Sequence, residues 1–187
     1  DEALRRERMS EGSRRDLRQP ETFTLPPLKR KDEKKGDPYL IVDGYNVIFA
    51  WAELAALAKV NIDAAGEALL ETLENYQGYK KIKIIVVFDG YKVPGNTGTK
   101  HEYAGVQAIY TKEAETADRF IEKTVYEMGR SFDITVVTSD KPVQMAALGD
   151  GARRMSSREF YQEVTSVSEE IREKLKRQTV LKNRPFE

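Results

Sequence analysis

Three short apolar runs constrain this chain more than any other feature, because each is closed by an aspartate. Residues 39–42 read Tyr-Leu-Ile-Val and run into Asp43-Gly44. Residues 83–88 read Lys-Ile-Ile-Val-Val-Phe before Asp89-Gly90, and residues 134–138 read Ile-Thr-Val-Val-Thr before Ser139-Asp140. Such runs are too short for helices and rich in strand formers; their unbroken apolar character suits a parallel sheet covered on both faces. In an open α/β sheet, ligands and reacting groups gather in the crevice outside the carboxyl ends of the strands. Asp43, Asp89 and Asp140 are therefore predicted to share one edge. Clustered carboxylates repel one another and are costly in apolar surroundings unless a cation joins them. An oxygen-only cluster suits Mg²⁺ or Mn²⁺. The absence of cysteine and the single histidine, His101, argue against a structural zinc site.

Around these runs the sequence predicts alternating helices and strands. Gly44 is read as permitting a sharp turn and Asn46 as capping a helix over 47–57, with Trp51 packed on the sheet. Residues 63–79 carry apolar side chains at helical spacing, with Asp63 as N-cap and Gly78 as stop. The glycine- and proline-containing stretch 90–103, which includes Lys100, reads as a loop on the acidic side able to gate or read a substrate, with His101 solvated. A short strand at 106–110 precedes a helix that starts near Glu115 or Thr116 and buries Phe120, Ile121, Val125 and Met128. On that helix Glu115, Asp118 and Glu122 fall at i, i+3 and i+7, a separate acidic stripe predicted to open at the strand-carboxyl edge. Pro142 suits the first turn of a helix over 142–148, and 152–155 reads as a further strand. Ser156 and Glu159 fit a capping box on a long amphipathic helix through Leu175. Arg153, Arg154 and Arg158 read as a basic cluster beside the acids, either a phosphate-binding group or a solvated surface.

Residues 1–38 differ in character. Arg5, Arg6, Arg8, Arg14 and Arg15, the prolines Pro20, Pro26 and Pro27 and a charged run over 29–35 leave few apolar side chains to bury, so the segment reads as a largely disordered basic linker. The first residue is Asp rather than Met, and the expectation is a piece of a larger protein. Balanced charge, 31 basic against 31 acidic, excludes a strongly basic nucleic-acid coat and a polybasic membrane anchor. No apolar stretch reaches the roughly 20 residues of a membrane span. With no cysteine the expected compartment is the cytoplasm. No phosphate-binding glycine loop is present, and Asp43-Gly-Tyr lacks the second acid of an Asp-x-Asp phosphotransfer start, which disfavours a nucleotide-binding or phosphotransfer domain.

The motifs Val42-Asp-Gly-Tyr-Asn46, Phe88-Asp89, Thr111 to Asp118, Thr138-Ser-Asp140 and Gly151 to Ser156, in that order, resemble the YacP-like branch of the NYN domains, relatives of the PIN nucleases. The resemblance implies a three-layer α/β/α sandwich with a central parallel sheet over 39–178, a tail over 179–187, and a metal-dependent endoribonuclease site. It implies Asp43, Asp118 and Asp140 as the metal acids, Asn46 and Asp89 as supporting catalytic residues, and Glu115 and Glu122 as further members of the helix pattern. Lys141-Pro142 departs from the pattern, where a small or flexible residue is expected. A weaker resemblance of the linker implies attachment to an upstream translational GTPase, with the ribosome as partner. The rival reading is a catalytically silent RNA- or ribosome-binding module that keeps the acids.

Overall fold

The computed structural model describes residues 36–90, 98–103 and 105–183; the linker assignment lies outside the described residues except at 36–38, which are not linker but the first residues of a strand. Among the described residues six strands form one sheet: β1 (Gly36–Asp43), β2 (Lys83–Phe88), β3 (Thr99–Tyr103), β4 (Val106–Tyr110), β5 (Phe132–Val137) and β6 (Arg153–Met155), in the order β3-β4-β2-β1-β5-β6. Every pairing is parallel except β3 with β4. The helices among the described residues are α1 (Gly44–Ala50), α2 (Ala52–Val60), α3 (Ile62–Lys80), α4 (Ala117–Met128), α5 (Lys141–Gly149) and α6 (Ser157–Lys182).

The two faces of the sheet carry separate cores, as alternation along buried strands requires. Leu40, Val42, Ile84, Val86 and Val137 pack with residues of α1, α2, α3 and α6, including Leu69, Leu73, Phe160 and Val164. Ile41, Ile85, Val87, Ile134 and Val136 pack with Ala117, Ile121 and Val125 of α4 and Val143 and Ala147 of α5. The three-layer sandwich expected from the sequence is the fold.

Several local expectations are corrected. The helix over 47–57 is two helices, broken at Trp51, whose extended backbone turns its indole inward so that Nε1 donates to the Ser157 carbonyl at 2.8 Å. Asn61, not Asp63, caps α3, because its side chain reaches the Asp63 and Ala64 amides. Gly78 lies inside that helix, which stops only where Lys81 takes the left-handed conformation. Part of the expected loop 90–103 is the antiparallel strand β3, paired to β4 along its length. Gly44 has no positive φ; it opens α1, and a Cβ there would lie 2.6 Å from the Phe88 ring. Close approach, not turning, is why glycine stands there. The helix α6 continues to Lys182, through the expected start of a tail at 179. The capping box of Ser156 and Glu159 is present as expected, as is Pro142 in the first turn of α5.

Candidate active site

The chain runs from β1 to β2 on one side and returns to β5 on the other, so the strand order reverses at β1. Asp43 closes β1 and Asp140 follows β5, which places both at this switch point, where α/β sheets hold their ligands. Asp118 joins them from the first turn of α4, whose N-cap is Thr116; its hydroxyl accepts from the Arg119 amide.

Asp43 is only 8% exposed. Burial is the main reason its carboxyl is pushed up from 3.8 to about 6; the Thr138 hydroxyl opposes the shift, the charge of Asp118 adds to it, the Asn46 backbone opposes it and Asp140 adds a further rise. Asp118 is likewise raised, by burial first and then by Asp140, Glu122 and Asp89. Four carboxylates from three segments, Asp118 and Glu122 of α4, Asp140 after β5 and Asp89 after β2, thus act electrostatically on Asp43 or Asp118. Buried acids whose carboxyls are raised by neighbouring charges in a crevice are candidates for a functional site.

Thr138 is the hinge of this arrangement. It is fully buried, donates to Asp43 Oδ2 at 3.1 Å and accepts from the Asp140 amide at 3.1 Å. Asp140 in turn caps α5, Oδ1 accepting from the Val143 amide at 3.3 Å. Asn46 does not cap a helix. Its Oδ1 accepts from the Ser139 amide at 2.9 Å and from the Ser157 hydroxyl at 2.7 Å, tying α1 to the Asp140 turn and to the start of α6. The Ser157 amide donates to Ser139 Oγ at 3.2 Å. Asp89 is exposed beside Gly90, whose amide donates to the buried Thr111 hydroxyl at 2.8 Å.

The structure therefore brings Asp140, Glu122 and Asp89 to bear on Asp118, and Asp118 and Asp140 to bear on Asp43. Glu115 precedes α4, so the i, i+3, i+7 stripe holds only from Asp118 to Glu122. Among the described residues, no three His, Cys, Asp or Glu side chains close into a group that could hold an ion. The donor set, carboxylate oxygens alone, nonetheless fits a hard divalent cation, which would relieve the repulsion that raises Asp43 and Asp118. The arginines do not form one cluster. Arg153 is held by Asp133 at 2.6 Å, Arg154 donates to Gln144 Oε1 at 3.3 Å, and Arg158 is exposed in the first turn of α6. Neighbouring residues of a strand point to opposite faces, which separates Arg153 from Arg154. Lys100 is exposed on the edge strand β3, and His101 packs edge-on to Tyr110 at 6.3 Å.

Thr138, Ser139 and Ser157 were not singled out from the sequence as site residues. Hydroxyl residues next to acids were visible there, but their bonds join positions 93 to 111 residues apart.

A mostly parallel sheet between helical layers, with aspartates gathered at its switch point, defines a PIN-like α/β domain. The match of a YacP-like NYN domain model over residues 40–186 makes the assignment specific, and the chain belongs to that family. It is 38% identical over 143 residues to the uncharacterized protein YacP of Bacillus subtilis (strain 168), covering 75% of this chain and 82% of that protein. It is similar to the crystal structure of Rae1 (YacP) from Bacillus subtilis, with TM-score 0.66 and 38% identity over 77% of this chain and 83% of that one. A tryptophan-to-leucine variant of the same protein matches with TM-score 0.67 and 36% identity over 76% of this chain and 84% of the other. Among the described residues no helix is long and apolar enough to cross a membrane.

Proposed function

We propose that this chain is a divalent-metal-dependent endoribonuclease hydrolysing RNA phosphodiester bonds. The observation that carries the proposal is the convergence of Asp43, Asp118 and Asp140 at the switch point, where burial and mutual repulsion raise Asp43 and Asp118. Membership of a nuclease-related family supports it. Asp43, Asp118 and Asp140 would hold Mg²⁺ or Mn²⁺, with Glu122 and Asp89 beside them. When bound, the ion supplies an activated water and neutralises charge on the leaving oxygen.

The chain's own residues provide position. Thr138 holds Asp43 and the backbone of Asp140 in a fixed relation. Asn46 has its Oδ1 committed to Ser139 and Ser157, so its side-chain amide N–H is the group it offers, a donor suited to a phosphate oxygen or a water. Lys100, Arg154 and Arg158 are the proposed phosphate contacts, and Arg153, paired with Asp133, is not among them.

Residues 39–187 carry 20 basic against 22 acidic side chains, too few cations for tight binding of free RNA through the site alone. Presentation of the RNA by a larger assembly, the ribosome, is therefore part of the proposal. The test is incubation of mixed RNA with and without Mn²⁺, beside Asp43→Asn. Internal cleavage that needs both the metal and Asp43 is the expected result. Metal binding with no turnover would instead favour the silent binding module.

A further inference from the structure

The long helix α6 changes character along its length. Ser157, Phe160, Val164 and Val167 are buried and Ile171 is half-buried, whereas every residue over 172–183 is exposed. This free end is basic. Residues 172–182 hold Arg172, Lys174, Lys176, Arg177 and Lys182 against the single acid Glu173, while residues 36–171 hold 14 basic against 21 acidic side chains. Lys174 lies over the Tyr79 ring at 4.8 Å. Arg172, Lys176, Arg177 and Lys182 join none of the ion pairs among the described residues.

We propose that residues 172–182 form an arm that binds the phosphate backbone of RNA. Charge complementarity is the warrant: the excess of positive charge in an otherwise acidic folded body sits on this exposed turn-and-a-half doubled, three turns in all, and polyanions bind where cations can displace their counterions. A membrane surface fits less well. At 100° per residue the five cations are distributed around the helix, and the exposed Leu175, Val180 and Leu181 fall among them, whereas an interfacial helix separates a cationic face from an apolar one.

The arm is remote from the acids. Ser157 is bonded to Asn46 and Ser139 at the site, and Arg172 lies 15 residues further on, about 22 Å along the axis at 1.5 Å per residue. That exceeds the Debye length of about 8 Å at physiological salt, so the acidic site does not cancel the arm's field. The arm consequently contributes affinity for RNA and not chemistry at the scissile bond.

This inference rests on the RNA reading above, but its test does not require cleavage. The full chain carrying Asp43→Asn, in EDTA, is titrated with labelled single-stranded RNA at several salt concentrations. It is compared with the same chain also carrying Arg172→Gln, Lys176→Gln, Arg177→Gln and Lys182→Gln. Glutamine keeps helix propensity, and an unchanged melting temperature checks the fold. The expected result is affinity about tenfold or more weaker at 50 mM salt, with the slope of log K against log salt reduced by about 2 to 3. In the cleaving parent, the four substitutions raise KM for long RNA and leave kcat unchanged. Unchanged affinity and slope overturn the proposal. So does loss of binding to phosphatidylserine vesicles with RNA affinity intact, which would assign the arm to a membrane surface.

Discussion

Asp43 shows how a single buried carboxyl at a candidate site can cost the fold stability. Its folded value of about 6 lies above the ordinary 3.8, so the folded state binds its proton more tightly than the unfolded chain does. The associated stability is fully present below about pH 4 and is lost as pH rises through 6. In metal-free protein at pH 7 the ionised side chain costs about 2–3 kcal/mol by that difference. Asp43→Asn is expected to abolish cleavage while raising the melting temperature in EDTA at pH 7, and the gain should shrink towards zero by pH 4. A variant that melts lower at pH 7 yet cleaves fully would remove Asp43 from the site. Thr138→Val deletes the hydroxyl that opposes the rise, so the acid limb of the cleavage profile should move to higher pH, measured as rate against pH in Mn²⁺. Gly44→Ala sets a methyl 2.6 Å from the Phe88 ring and should cost about 1–3 kcal/mol in urea unfolding.

At the scale of elements, the site is a junction of helix starts. The first turns of α1, α4, α5 and α6 meet there, and Ser157 joins two of them: its hydroxyl serves Asn46, its amide Ser139, and its carbonyl the Trp51 indole. The carbonyl bond also fixes the break between α1 and α2. Trp51→Phe keeps the aromatic packing against Phe160 and Tyr161 but leaves the Ser157 carbonyl without its long-range donor. The expected cost is about 1–2 kcal/mol by chemical denaturation, with a fall in cleavage rate larger than the exposed position of Ser139 would suggest. A rate unchanged in the face of that destabilisation would show that Ser157 is structural and does not position the acids.

For the whole molecule, the proposed metal binding would be linked to folding through the repelling acids. An ion that binds only the folded chain stabilises it by an amount that grows with concentration over Kd, about 2.7 kcal/mol at a hundredfold excess. Millimolar Mn²⁺ is expected to raise the melting temperature of the parent and to leave that of Asp43→Asn and Asp118→Asn nearly unmoved. Equal shifts in all three proteins would place the ion elsewhere.

The sequence by itself determined the strands that end in acids, the helix that carries Asp118 and Glu122, and the Ser156–Glu159 capping box, because these depend on neighbours within a turn or a run. It also carried the family, through motifs whose order survives in one dimension. Other features depended on which strands lie side by side. The order β2-β1-β5, which makes Asp43 and Asp140 neighbours across the switch point, is fixed by packing on both faces of the sheet. The position of Glu115 ahead of the helix and the separation of Arg153 from Arg154 follow from where a helix begins and which way a strand residue points. The bonds of Thr138 and Asn46 span 95 and 93 to 111 residues, and no local pattern encodes a partner at that distance. Only the closed tertiary structure brings those donors and acceptors together, since satisfying them once buried is a condition on the whole fold and not on any segment of it.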